Sequence, residues 1–126
     1  MADYTAVKID EIEAIYGGAF KRARGALGAS AFGLQVLDLP PNATGYPEHD
    51  HSEDGQEEVY VVLDGEAVFV INGEEVSAAE GDAVRVDPGC TRSVCPGPEG
   101  ARILAIGCAP GVLYERPEDF RLAVSP

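Results

Sequence analysis

From residue 31 onward the chain alternates short apolar runs with turn residues. The runs AFGLQVLDL, EEVYVVL, EAVFVI, EEVSA, DAVRV and RILAIGC are rich in Val, Ile, Leu, Phe and Tyr, side chains suited to a pleated, half-buried surface. Asp64-Gly65 and Asn72-Gly73 predict two-residue hairpin turns, because such turns need positive φ at both central positions. Pro40-Pro41-Asn42, Gly81-Asp82, Asp87-Pro88-Gly89 and Pro96-Gly97-Pro98 mark further loops. Closely spaced strands with no long helix between them predict an all-β, antiparallel sandwich or barrel. Ahead of them, Ile9 to Tyr16 is acidic and weakly amphipathic, which predicts one short helix with Asp10 as N-cap and Gly17-Gly18 as its end. The runs VYVVL and VFVI are apolar on both faces. Their outer face should therefore be covered, by an overhang of the other sheet or by a second subunit, and a homodimer is expected.

Length and composition narrow the picture. A chain of 126 residues is enough for one domain with one core. The hydrophobic share of 45% is that of an ordinary globular protein. No run approaches the roughly 18 apolar residues that a membrane helix needs. The start, MADYTAVKIDEIEAIYGG, lacks the basic and apolar regions of a secretory signal, so a cytoplasmic location is expected. Cys90, Cys95 and Cys108 are an odd number and cannot all pair with one another, which suits a reducing compartment. Cys108 ends an apolar run and is expected to be a buried small hydrophobe, while Cys90 and Cys95 flank a loop and are expected to be inert thiols.

The net charge of −13 is unevenly placed, with no Lys or Arg between Arg24 and Arg85. Such a field repels phosphate backbones and anionic lipid, which excludes nucleic acid and membrane surfaces as expected partners. It favours cations.

The candidate chemistry gathers in one segment. The chain has two histidines, His49 and His51, in GYPEHDH. Side chains two apart on a strand share a face, so the two imidazoles can converge. Glu58 opens the next run, and imidazoles with a carboxylate suit iron, manganese, nickel, cobalt or zinc. Tyr60 should share the face of Glu58, with Val62 and either Phe69 or Val68 supplying an apolar wall.

This arrangement resembles the cupin superfamily, whose first motif reads G-x5-H-x-H-x(3,4)-E-x6-G and whose second reads G-x5-P-x-G-x2-H-x3-N. Glu58 and Gly65 keep the E-x6-G spacing, which favours Glu58 over Glu57, and the run from Gly81 to Arg92 is similar to the second motif. The resemblance covers roughly residues 32–108. It implies a jelly-roll barrel, a double-stranded β-helix of the cupin type, often dimeric, with an N-terminal arm over 1–31 and a C-terminal tail over 109–126. Two departures stand out. Six residues separate His51 from Glu58, and Gly45 precedes His49 by three. Spacing counted strictly from Gly45 gives His51, Glu53 and Glu58; letting the loop absorb the insertion gives His49, His51 and Glu58, the preferred set. The last histidine of the family falls on Arg92 and its asparagine on Pro96. A guanidinium cannot coordinate a metal, so the implied set is two histidines and one carboxylate.

Three functions follow from the resemblance. The first is a metalloenzyme, whether dioxygenase, isomerase or decarboxylase, holding a divalent ion on His49, His51 and Glu58, with Arg92 and Tyr60 contacting a small anionic substrate. The second is a metal-free module that binds a small carboxylate or sugar-like ligand through Arg92. The third is an epimerase or isomerase acting by proton transfer from an unligated histidine. No nucleotide cofactor is expected. The tail YERPEDFRLAVSP is expected either to fold back over the barrel or to reach a partner.

Overall fold

A computed structural model describes residues 4–111 and Tyr114; the expectations for the C-terminal tail lie almost wholly outside these residues. Seven strands occupy them: β1 (Ala14–Ile15), β2 (Phe20–Lys21), β3 (Gly33–Leu39), β4 (Glu57–Ile71), β5 (Glu74–Ala79), β6 (Ala83–Val86) and β7 (Arg92–Cys108). They form one antiparallel sheet in the order β1-β2-β3-β7-β4-β5, with β6 also paired to β4, in keeping with the expected jelly-roll class.

The long strands β4 and β7 run beside each other through both halves of the sheet. The first half of β4 pairs with β6, from Glu58 opposite Val86 to Val61 opposite Ala83. Its second half pairs with β5, from Glu66 opposite Ala79 to Ile71 opposite Glu74. Inward side chains from both halves meet in a single core that includes Tyr60, Val62, Phe69, Val86, Val94 and Ile103. Each large apolar side chain buried there contributes roughly 1.5–3 kcal/mol.

Asn72-Gly73 makes the expected hairpin, with φ of 50° and 81° between Ile71 and Glu74. Asp64-Gly65 does not. β4 runs straight through it, with register shifts against β7 between Val62 and Asp64 and between Gly65 and Ala67. These are bulges, and a bulge changes which face later residues present. Before it Glu58, Tyr60 and Val62 are buried; after it Ala67 and Phe69 are. Phe69 therefore points inward and Val68 does not. Gly65 has φ of 78° and lies against the Gly100 carbonyl, where a side chain would collide. Pro96-Gly97-Pro98, expected as a loop, likewise lies within β7.

The expected N-terminal helix is absent. Ile9–Glu11 form one 3-10 turn, and Ala14–Ile15 pair with Phe20–Lys21 across the Gly17-Gly18 reversal. A helix of eight residues is marginal in isolation, whereas pairing here extends the sheet beyond β3. A helix that was not expected spans Ala23–Leu27. The arm lays Ile12 and Ala23 on Val36, with Leu34 and Leu104 beside them, so it covers part of the outer face. Val59, Val61 and Ile106 of that face remain half-buried. Among the described residues no helix is long and apolar enough to cross a membrane.

Cys108 is exposed, not buried, because it closes β7 at the sheet margin; its thiol lies 3.3 Å from the Ala31 carbonyl oxygen. Cys90 is half-buried and Cys95 exposed.

Candidate metal centre

The segment before β4 is held to the start of β7 by backbone bonds. His49 and Arg92 are cross-strand partners: the His49 amide donates to the Arg92 carbonyl at 3.0 Å and the Arg92 amide to that of His49 at 2.8 Å. Two residues on, the His51 amide donates to the Pro88 carbonyl at 2.9 Å. Neither histidine lies in a regular strand, yet these ties bring the two rings to 5.1 Å, edge to face. Glu58 sits on the inward face of β4, 4% exposed.

His49, His51 and Glu58 each aim a ligand-competent atom into one space, all within 4.8 Å of one another. His51 Nε2 is 3.1 Å and His49 Nε2 4.0 Å from Glu58 Oε1. The opposite ring nitrogens already have partners. His49 Nδ1 lies 3.1 Å from the Pro47 carbonyl oxygen, and His51 Nδ1 lies 3.0 and 3.1 Å from the two Asp54 carboxylate oxygens. A metal-ligating imidazole carries its N–H on the other ring nitrogen, and each Nδ1 here has an acceptor placed to receive it. Both Nε2 atoms are then left with lone pairs, facing a carboxylate that also only accepts. His51 Nε2 is buried with no hydrogen-bond partner. In that tautomer three acceptors face one another, an arrangement that a cation among them relieves, so the donor set fits a divalent metal ion.

Glu58 is itself held. The Tyr60 hydroxyl donates to its Oε1 at 2.7 Å. Burial pushes the Tyr60 phenol well above its ordinary range, with the Tyr46 and Glu58 neighbours adding to this. Arg92, 1% exposed, places Nε 3.7 Å from Glu58 Oε1. Its Nη2 donates to the Asp87 carbonyl at 3.0 Å, while Nε and Nη1 have no hydrogen-bond partner. A buried guanidinium with two unsatisfied edges is costly and calls for an acceptor.

Of the alternatives open at the sequence level, Glu53 is exposed and stands outside the cluster, and Glu57 is exposed on the other face of β4, paired with Arg85 at 3.2 Å. Two contributors were missed. Tyr46 packs its ring 5.9 Å from that of His49, and burial raises its phenol, with Glu58 reinforcing the shift. Only its place three residues before His49 hinted at this. Asp54 lay in what reads as a solvated acidic loop. Its hydrogen bond to His51 holds its carboxyl below the usual range.

The sequence profile of the cupin domain matches residues 35–107. No curated protein matches the chain. Among solved structures, a cupin protein from Bacteroides fragilis superposes with a TM-score of 0.75 at 20% identity, covering 98% of this chain and 100% of that one. A sugar phosphate isomerase from a cupin superfamily, from Silicibacter pomeroyi, gives 0.66 at 24% identity, with 82% and 75% coverage. A predicted oxalate decarboxylase from Thermotoga maritima gives 0.62 at 24% identity, with 83% and 99% coverage.

Proposed function

The chain belongs to the cupin domain family, and from that premise we propose that it holds one divalent transition metal through His49, His51 and Glu58 and binds a small anionic organic molecule beside it. The observation that carries this reading is the buried His51 Nε2, which has no hydrogen-bond partner and faces two further acceptors. A bound ion would supply Lewis-acid or redox chemistry to the ligand. Tyr60 keeps one Glu58 oxygen in place through its 2.7 Å hydrogen bond. Arg92 anchors the anion through Nε and Nη1, the two donors without partners. Val62, Phe69 and Val94 belong to the buried apolar core that also contains Tyr60 and would supply the apolar wall of such a site. The isomerase and decarboxylase named above are both named for anionic substrates, which agrees with an Arg92 anchor. A homodimer belongs to the same proposal, supported by the half-buried Val59, Val61 and Ile106 on the outer face.

Elemental mass spectrometry on untagged protein purified without chelator tests the reading. One equivalent of metal is expected, natively or after incubation with Fe(II), Mn(II), Ni(II) or Zn(II), and is lost in His51→Ala and in Glu58→Gln. No metal under any of these conditions overturns it. The Arg92–Glu58 ion pair would then stand in place of the ion, and a carboxylate-induced thermal shift that survives chelator and vanishes in Arg92→Ala would identify a metal-free binding module.

A further inference from the structure

The segment between His51 and Glu58 is longer than the family pattern requires, and the surplus forms a distinct structure. The Asp50 carboxylate accepts from the Ser52 amide at 3.0 Å, and Gly55, with φ of 70°, returns its amide to the His51 carbonyl at 2.7 Å. This tight turn brings Asp54 back to the His51 ring. Both of its carboxylate oxygens lie within 3.1 Å of Nδ1, while it also accepts from the Gln56 amide at 3.2 Å and the Gln56 side chain at 3.1 Å. Two donors from Gln56 leave the carboxylate little freedom to turn away. The His51 ring is fixed on its other side by burial of Nε2.

We propose that Asp54 is a positioning residue for the metal centre: the inserted turn exists to hold the proton of His51 on Nδ1 and so present the Nε2 lone pair beside Glu58. The inference rests on the metal-binding reading above. A carboxylate behind a ligating imidazole fixes its tautomer and orientation and raises its basicity. His49 has only the neutral Pro47 carbonyl in that role, so the two histidines are not equivalent, and His51 is the stronger ligand.

Two measurements on the full chain test this. Two-bond 1H–15N correlation spectra of the metal-free protein report the His51 tautomer, and calorimetric titration with Zn(II) reports affinity. The wild type is expected to show the Nδ1–H form. Asp54→Ala should populate the Nε2–H form and weaken Zn(II) binding about 10- to 100-fold. Asp54→Asn, whose amide oxygen still accepts, should restore the tautomer and most of the affinity. Gln56→Ala, which removes only the side-chain donor to Asp54 and keeps the His51 contact, should leave the tautomer unchanged and cost less affinity than Asp54→Ala. An unchanged tautomer in Asp54→Ala overturns the proposal, as does an equal loss of affinity in all three variants, since both would make Asp54 a loop residue only. Failure of the wild type to bind Zn(II) would count against the metal-binding reading, and the tautomer comparison would still decide the role of Asp54.

Discussion

Replacing Gly65 by alanine separates two accounts of the Asp64-Gly65 pair. In an exposed hairpin turn, a Cβ costs only the strain of positive φ, about 1 kcal/mol. Gly73 provides that reference, with φ of 81° and nothing within 4 Å of an added Cβ. Gly65 has nearly the same φ, 78°, but its Cβ would overlap the Gly100 carbonyl oxygen and stand 3.1 Å from Ala101 Cα. Both of those groups are backbone of β7, which is paired to β3 and β4 around Ala101, so neither can swing aside as a side chain would. Moving a paired strand adds about 2 kcal/mol or more, for a total near 3 kcal/mol. For a domain of this size, about 1 kcal/mol shifts Tm by roughly 4 °C. Gly73→Ala should therefore lower Tm by about 4 °C and Gly65→Ala by about 12 °C, read by circular dichroism and checked by urea midpoints at constant m. Equal shifts would refute the bulge and restore the hairpin. The result bears on the site, because the parity change at Gly65 is what lets Tyr60 and Phe69 occupy one interior.

Two further outcomes are expected. Arg92→His removes a buried positive charge beside Glu58 and adds an imidazole opposite His49, so Zn(II) affinity should rise by at least about tenfold in calorimetric titration; unchanged or weaker binding would show that Arg92 does not oppose the ion. The Asp10 carboxyl is held below its ordinary value first by its hydrogen bond to Arg102, 2.5 Å away, and then by the charge of that residue. A depressed carboxyl pKa gives stability that is present above the unfolded value of 3.8 and lost as pH falls through the folded value. Urea midpoints should therefore drop more steeply below about pH 4 in the wild type than in Asp10→Asn; parallel curves would remove Asp10 from the account.

What the sequence could tell was set by whether the signal was local. The alternation in GLQVLDL and EEVYVVL, and the Asn72-Gly73 turn, depend on neighbours in the chain, and these elements were legible. The course of β4 through Asp64-Gly65 was not, since Asp-Gly suits a hairpin and a bulge equally; what decides is Gly100, brought alongside by β7. The exposure of Cys108 depends in the same way on where the sheet ends. At the site, His49, His51 and Glu58 were named from spacing plus resemblance, and the fold brings them together. Tyr46 and Asp54 escaped notice because a tyrosine after glycine and an aspartate among acidic residues look like loop chemistry until the rings of His49 and His51 are placed over them.

Arg92 bears on an apparent conflict between the charge of the protein and the charge of its proposed ligand. A chain at −13 looks unsuited to anions. Yet the carboxylates of Asp50, Glu53, Asp54 and Asp87, in the segments that carry the site, are exposed, and at physiological salt exposed charges are screened over about 8 Å. Glu58 and Arg92 are buried at 4% and 1% exposure, where screening is weak. Their formal charges cancel, so a divalent ion bound there would leave the interior net positive. A histidine in place of Arg92 would leave the interior negative beforehand and hold the ion more tightly, with less positive charge to offer a ligand. On the proposed reading, arginine at this position would trade metal affinity for attraction to an anion. On that reading, the two guanidinium nitrogens that lack a hydrogen-bond partner, Nε and Nη1, would meet an acceptor supplied by the ligand.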